Sequence, residues 1–172
     1  MTRDFRSQPS EPRVLVTDAQ LRSSLAVIRS LGETDISVIA ADENRISTGR
    51  FSKYATAFTR YPSPSNKEEE FISWLRDYCI EADIDLVMPV STWTTKAISK
   101  HVDSLSSVTN VPIQEFERME PAWDKGQTLS IADEEDIPIP ETKHPTSLSE
   151  AITSAEEIGF PLVIKPRRSS GS

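Results

Sequence analysis

A single cysteine, Cys79, occurs in 172 residues, so an intramolecular disulfide is excluded. No apolar run approaches the roughly 20 residues that span a bilayer, and no membrane partner is expected. The opening "MTRDFRSQPSEPR" has no apolar core of a secretory signal and reads as a short flexible leader over 1–12. With the lone cysteine this points to the cytoplasm. Positive charge is also scarce: Lys+Arg number 19 against 27 Asp+Glu, a net charge of −8. Nucleic acid normally requires a basic stripe, so it is not an expected partner. A small anionic ligand is still allowed, because its site needs only two or three local cations.

Glycine is missing where two common nucleotide motifs require it. The first strand-to-helix turn, "TDAQLRSS", contains none, which argues against a dinucleotide fingerprint. No GxxxxGK[ST] phosphate loop occurs either. A phosphoacceptor domain would need an acidic pair after its first strand and an aspartate ending its third. Here Asp18 stands alone and "DLVMPV" ends in Met88, Pro89 and Val90.

What is present is an alternation of strands and helices. "RVLVTD" is a short buried strand. In "LRSSLAVIRSLG" the apolar residues Leu21, Leu25, Ile28 and Leu31 recur every three or four positions, and Gly32 is expected to stop the helix. "DISVIAAD" is a second strand, and a brief third is expected near Ala57 to Arg60. "SNKEEEFISWLRDYCIEADI" is a helix with Ser65 as cap, acidic residues in its first turn, and Phe71, Trp74, Leu75 and Tyr78 as its apolar stripe. "DLVMPV" (Asp85 to Val90) is a further strand. "STWTTKAISKHVDSL" is a helix capped by Ser91 or Thr92, and a last strand is expected near Ser107 to Pro112. The pattern predicts an α/β domain with a Rossmann-like, doubly wound parallel sheet over 13–112.

Beyond it, over 113–172, the composition changes. A helix is expected from about Pro121 to Glu135, stopped by the prolines of "IPIPET". "SLSEAITSAEEIG" is another helix, with Ser147 or Ser149 as cap and Gly159 as stop. "FPLVIKP" reads as a strand.

Candidate functional residues fall in two places. Asp18, Arg22, Ser91 and Thr92 lie at carboxyl ends of strands, where open α/β sheets bind ligands. Arg22 suits a carboxylate; equally, Asp18 and Ser91 serve as helix caps. Lys125 opens a helix in "AWDKGQTL". Lys165 leaves an apolar strand beside a small Ser/Gly loop, a setting that suits an anion, though a solvated edge lysine has the same surroundings. "EEE" (Glu68 to Glu70) and "DEED" (Asp133 to Asp136) are adjacent residues that point around a helix, so they read as solvated faces. Cys79, on a helix, reads as a small buried hydrophobe; the only histidines that could activate it are His101 and His144.

Three segments together resemble the ATP-grasp family, which includes biotin carboxylase, carbamoyl phosphate synthetase and carboxylate–amine ligases. "DKGQTLSIADEEDIPIPET" is similar to its Asp-Lys, helix and Pro-x-Pro-x-Thr segment. "EIGFPLVIKPRRSSGS" is similar to its Gly-Phe-Pro-apolar-Lys-Pro strand. "VLVTDAQLRSSLAVIRSLG" is similar to the opening of the preceding α/β domain, in a predicted ATP-dependent carboligase subgroup. The resemblance implies a Rossmann-like pre-ATP-grasp domain over 13–112 and the beginning of an ATP-grasp domain over 113–172. It implies that Lys125 and Lys165 reach the ATP phosphates, and that Ser169, Ser170, Gly171 and Ser172 begin the phosphate-covering loop. Arg167 and Arg168 depart from the family's glycine run; a phosphate, a carboxylate substrate or solvent could each meet them.

The resemblance further implies a ligase that activates a small carboxylate as an acyl phosphate for attack by an amine or similar nucleophile. Its cofactors are ATP and Mg²⁺, whose acidic ligands are expected past Ser172, so this portion alone is expected to be inactive. A homodimer is compatible with it. The alternative is a non-catalytic Rossmann-like binding or dimerisation module.

Overall fold

The first buried run, Val14-Leu15-Val16, forms the centre of a parallel sheet in the computed structural model, which describes residues 11–168. Strand β1 (Arg13–Val16) lies between β2 (Ser37–Asp42) and β4 (Leu86–Met88), and β3 (Ala57–Arg60) pairs outside β2, giving the order β3-β2-β1-β4. All pairings are parallel, with Leu15 opposite Ile39 and Val87. Successive side chains of a strand point to opposite faces. Val14, Val16, Val38 and Ala40 therefore pack on one face with Ile28 of α1 (Arg22–Gly32). Leu15, Ile39, Ala41 and Val87 pack on the other with Phe71 and Leu75 of α2 (Glu68–Glu81), Ala97 and Ile98 of α3 (Thr92–Lys100) and Leu105 of α4 (Val102–Leu105). Helices on both faces of an all-parallel sheet make the doubly wound α/β arrangement expected from the alternation.

Several local expectations change. Helix α2 begins at Glu68 and is not capped by Ser65. The turn before it is closed by the Ser63 carbonyl, which accepts from Asn66 N (3.3 Å) and Lys67 N (2.8 Å), while the Ser65 hydroxyl meets that of Ser63. Glu68, Glu69 and Glu70 fill the first turn, where their charge opposes the positive end of the helix dipole. The helix expected from Thr92 to Leu105 breaks at His101, whose ψ of 17° lies outside helical geometry. The strand expected near Ser107 to Pro112 shrinks to one parallel bridge, Leu86 to Asn110; Pro112 has no N–H to extend it.

Gly32 does not act as a left-handed stop. Its follower Glu33 is ordinary right-handed backbone (φ −84°), and the glycine is needed for space: a Cβ there would lie 2.3 Å from the Tyr54 carbonyl oxygen. Gly→Ala at the end of a helix normally gains a few tenths to 1 kcal/mol. Gly32→Ala is instead expected to lose about 1–3 kcal/mol, because backbone must move. A urea titration in which the Gly32→Ala variant proved more stable than the parent would refute this.

The chain divides into two compact units, Met1–Phe116 and Glu117–Ser172. In the second, a 3₁₀ turn (Glu120–Trp123) follows α5 (Phe116–Met119) and leads into α6 (Lys125–Glu134). After the proline segment comes α7 (Leu148–Ile158). Ser147 caps α7 by accepting from Glu150 N, and the Glu150 carboxylate reaches back past the cap to accept from Thr146 N and its hydroxyl, both at 2.8 Å, a close relative of the capping box. Gly159 ends it at φ 82°, a conformation only glycine adopts readily. "FPLVIKP" forms no strand: no described segment pairs with it, and a strand requires a neighbour for its N–H and C=O groups. Phe160, Val163 and Ile164 are accordingly exposed.

Candidate functional site

In the first unit the strand order reverses direction between β1 and β4, the place where open α/β sheets leave a crevice. Asp18 and Ser91 meet there, but through bonds within the chain. Asp18 Oδ2 accepts from the Ser91 N–H (2.9 Å), the Thr94 hydroxyl (2.7 Å) and the Thr17 hydroxyl (2.5 Å), and Oδ1 from the Tyr61 hydroxyl (3.1 Å). The Asp18 N–H donates to the same Tyr61 oxygen. Asp18 holds this position at φ 56°, a left-handed conformation that aspartate tolerates better than most residues. Burial, then the Asp18 charge, pushes the Tyr61 hydroxyl far above its ordinary range, so it remains a donor. Ser91 also caps α3 by accepting from Thr94 N. Thr92 is the first residue of that helix and is half-buried. Arg22, the first residue of α1, is exposed and has no hydrogen bond to this network.

Sequence reasoning missed Thr17, Tyr61, Thr94 and Asp42. Asp42, buried at the end of β2, accepts from Gln20 N (2.9 Å) and Asn44 N (2.8 Å). The available signal was positional, a polar residue just where a strand ends. Cys79 is buried, and that burial pushes its thiol up to about 11, opposed by the Thr109 hydroxyl, as for a small hydrophobe rather than a nucleophile. Asp133 to Asp136 are exposed, and Glu68 and Glu70 pair with Lys100 and Lys67.

The second unit gathers the two lysine segments. Asp124 caps α6 by accepting from Gly126 N (2.9 Å) and Gln127 N (3.2 Å). Its oxygens also receive Arg167 Nε at 2.7 Å and Arg168 Nε at 2.9 Å. The Lys125 N–H donates to the Arg167 carbonyl (3.1 Å) and Lys125 Nζ to the Pro166 carbonyl (3.2 Å). Residues about forty positions apart in sequence are thus tied at the start of α6, and exposed Lys165 is next to the tie. Gly126 permits it: a Cβ would lie 2.9 Å from Arg167 Nε. Arg167 foremost, with Arg168 and the Gln127 amide, holds the Asp124 carboxyl well below the usual carboxylate range. Ser169, Ser170, Gly171 and Ser172 lie outside the described residues.

No family model and no curated protein matches the chain. Solved structures do. An L-amino acid ligase from Bacillus licheniformis matches 92% of this chain over 38% of its own, with TM-score 0.64 and 18% identity. The biotin carboxylase subunit of pyruvate carboxylase matches 87% over 33%, with TM-score 0.54 and 19% identity. The biotin carboxylase domain of the Hydrogenobacter thermophilus 2-oxoglutarate carboxylase, a domain dimer in complex with MgADP, ADP and bicarbonate, matches 87% over 33%, with TM-score 0.55 and 20% identity. The chain spans about a third of the length of these structures. At such identities the likeness is one of fold, and the chain has the α/β fold of the N-terminal portion of ATP-grasp enzymes.

Proposed function

We propose that this chain supplies the N-terminal α/β domain and the first phosphate-binding segments of an ATP-dependent ligase that activates a small carboxylate as an acyl phosphate for an amine or similar nucleophile. One observation carries the reading: Lys125 and the Lys165-Pro166-Arg167 segment meet at the start of α6. An ammonium group and the guanidinium groups beside it suit the oxygens of a triphosphate. Bound ATP would supply the phosphoryl group; the residues here would orient its phosphates and neutralise their charge. Among the described residues no group of three His, Cys, Asp or Glu side chains is placed to hold a metal, so no step is assigned to Mg²⁺ on these residues. Arg22 and Thr92 remain the candidates for a substrate carboxylate near the β1–β4 crevice, since Asp18 and Ser91 are engaged within the chain.

On this reading the 172-residue chain binds ATP weakly, with a Kd on the order of 1 mM, or about 4 kcal/mol. Calorimetric titration at low salt tests it. Lys125→Ala or Lys165→Ala should each weaken binding roughly tenfold, as loss of a charge-assisted contact does. Micromolar, Mg²⁺-dependent affinity would contradict the assignment of these residues to one part of the site. Unchanged affinity in Lys165→Ala would remove its phosphate role. A stable oligomer indifferent to nucleotide would favour the non-catalytic module.

A further inference from the structure

Asp and Glu make up 27 of the 172 residues, yet none occurs from Asn44 to Lys67, where Arg45, Arg50, Lys53, Arg60 and Lys67 fall. An acid-free stretch in so acidic a chain is a local reversal of sign. The fold sets its first half beside α1, whose last turn carries Arg29. Between them lies an open groove of about 590 Å³, lined by Arg29, Glu33, Phe51, Ser52, Lys53 and Tyr54.

The cations of this face are positioned but not neutralised. The Arg50 guanidinium lies over the rings of Phe51 and Phe58, 5.9 and 5.3 Å from their centroids. Its Nη1 donates to the Arg45 carbonyl at 2.9 Å. Lys53 Nζ is 4.9 Å from the centroid of the Tyr54 ring. Such contacts orient a cation and leave its charge in place. Among the described residues, Arg29, Arg45, Arg50 and Lys53 form no salt bridge. In the lining, Glu33 alone opposes Arg29 and Lys53. Two large apolar side chains of the same stretch stand in water: Phe51 is 73% exposed and Ile46 79%.

We propose that this groove docks an acidic segment of a partner protein that brings an apolar or aromatic side chain against Phe51. Charge complementarity selects an anionic partner. The apolar pair selects a polypeptide among anions. A nucleic acid could stack a base on Phe51 but would leave Ile46 in water. Its charge, one per roughly 1.7 Å of duplex axis, also runs past so small a patch, onto a chain of net charge −8. A short acidic segment keeps its charge on the groove. None of these residues takes part in the ATP reading, so the two stand or fall separately.

The probe is a short synthetic peptide of Glu and Asp with a central Phe-Leu pair, titrated into the full 172-residue chain at low salt. Amide resonances of Arg29 and of residues 45–54 should shift and saturate together. Lys53→Glu should weaken binding roughly fivefold by charge. Phe51→Ser should weaken it roughly fivefold by lost apolar contact. Both side chains are exposed, and urea titration checks that each variant folds as the parent does. Ile46→Ser gives a second reading of the apolar contact and should also weaken binding. A peptide with Ser-Ser in place of Phe-Leu that binds as tightly would overturn the proposal, as would shifts away from these residues. Tighter binding of oligodeoxythymidine, or of phosphatidylcholine–phosphatidylserine vesicles, to the same residues would overturn it in favour of a nucleic acid or a membrane. Self-association in sedimentation that Lys53→Glu abolishes would assign the groove to a second copy of the chain and overturn the partner.

Discussion

Asp18→Ala is expected to lower the unfolding free energy of the Met1–Phe116 unit by roughly 2–3 kcal/mol, the cost of leaving neutral donors around a partly buried carboxylate without their acceptor. Four donors from four places in the sequence converge on this carboxylate: Thr17, Tyr61, Ser91 and Thr94. Thr17 and Thr94 are fully buried and Tyr61 nearly so, which limits the water that can replace the lost acceptor on their side of the network. The φ of 56° adds to the loss, because alanine in that region costs about 1 kcal/mol or more. Asp18→Asn preserves shape and backbone tolerance but turns one acceptor oxygen into a donor, so an intermediate loss is expected. Urea titrations with an unchanged slope would measure both. A loss under about 1 kcal/mol for Asp18→Ala would show that the network does not hold the ends of β1, β3 and β4 together.

Asp124→Ala is the second large effect, confined to the Glu117–Ser172 unit. It removes the cap of α6 and both arginine anchors in one step. Hydrogen exchange at Gly126 and Gln127 N–H should quicken by about tenfold, as expected for a lost cap. Proteolysis after Arg167 and Arg168 should quicken too. The pH dependence has a definite sign. The folded carboxyl titrates below the unfolded one, so its contribution is complete at neutral pH and persists above about pH 4, where an unfolded aspartate titrates. It is lost only as pH falls below that range toward the folded value. Titration of the Asp124 carboxyl carbon should find it still ionised at about pH 4; a midpoint near that value would mean the arginine tie does not form in solution.

The periodicities that built the first unit were plain in the sequence. Val14, Leu15 and Val16 announced β1, and the Leu21–Leu31 spacing announced α1, because burial on a sheet imposes those patterns. Ser147 and Gly159 marked the ends of α7 through their local chemistry. Features that depend on a distant partner were not legible. Nothing local to Gly32 shows that Tyr54 will lie against it. "FPLVIKP" has strand composition, yet a strand also needs a neighbour. From its neighbours alone Asp18 reads as a cap or a ligand. Its actual role requires Tyr61 and Thr94, which only the folded topology brings near. Each lysine segment is legible by itself, but the Asp124 bridge that joins them through Arg167 and Arg168 has no sequence period to reveal it.

On the proposed function, the start of α6 and the Lys165-Pro166-Arg167 segment together face the phosphates of ATP. An ATP analogue whose terminal phosphate carries a lysine-reactive acyl group tests this directly, because it modifies lysines within reach of the bound phosphates even when binding is weak. Peptide mapping should find Lys125 and Lys165 modified, with excess ATP suppressing both. Modification spread over Lys53, Lys67, Lys100 and Lys143 as readily as over Lys125 and Lys165, and unaffected by ATP, would contradict the account.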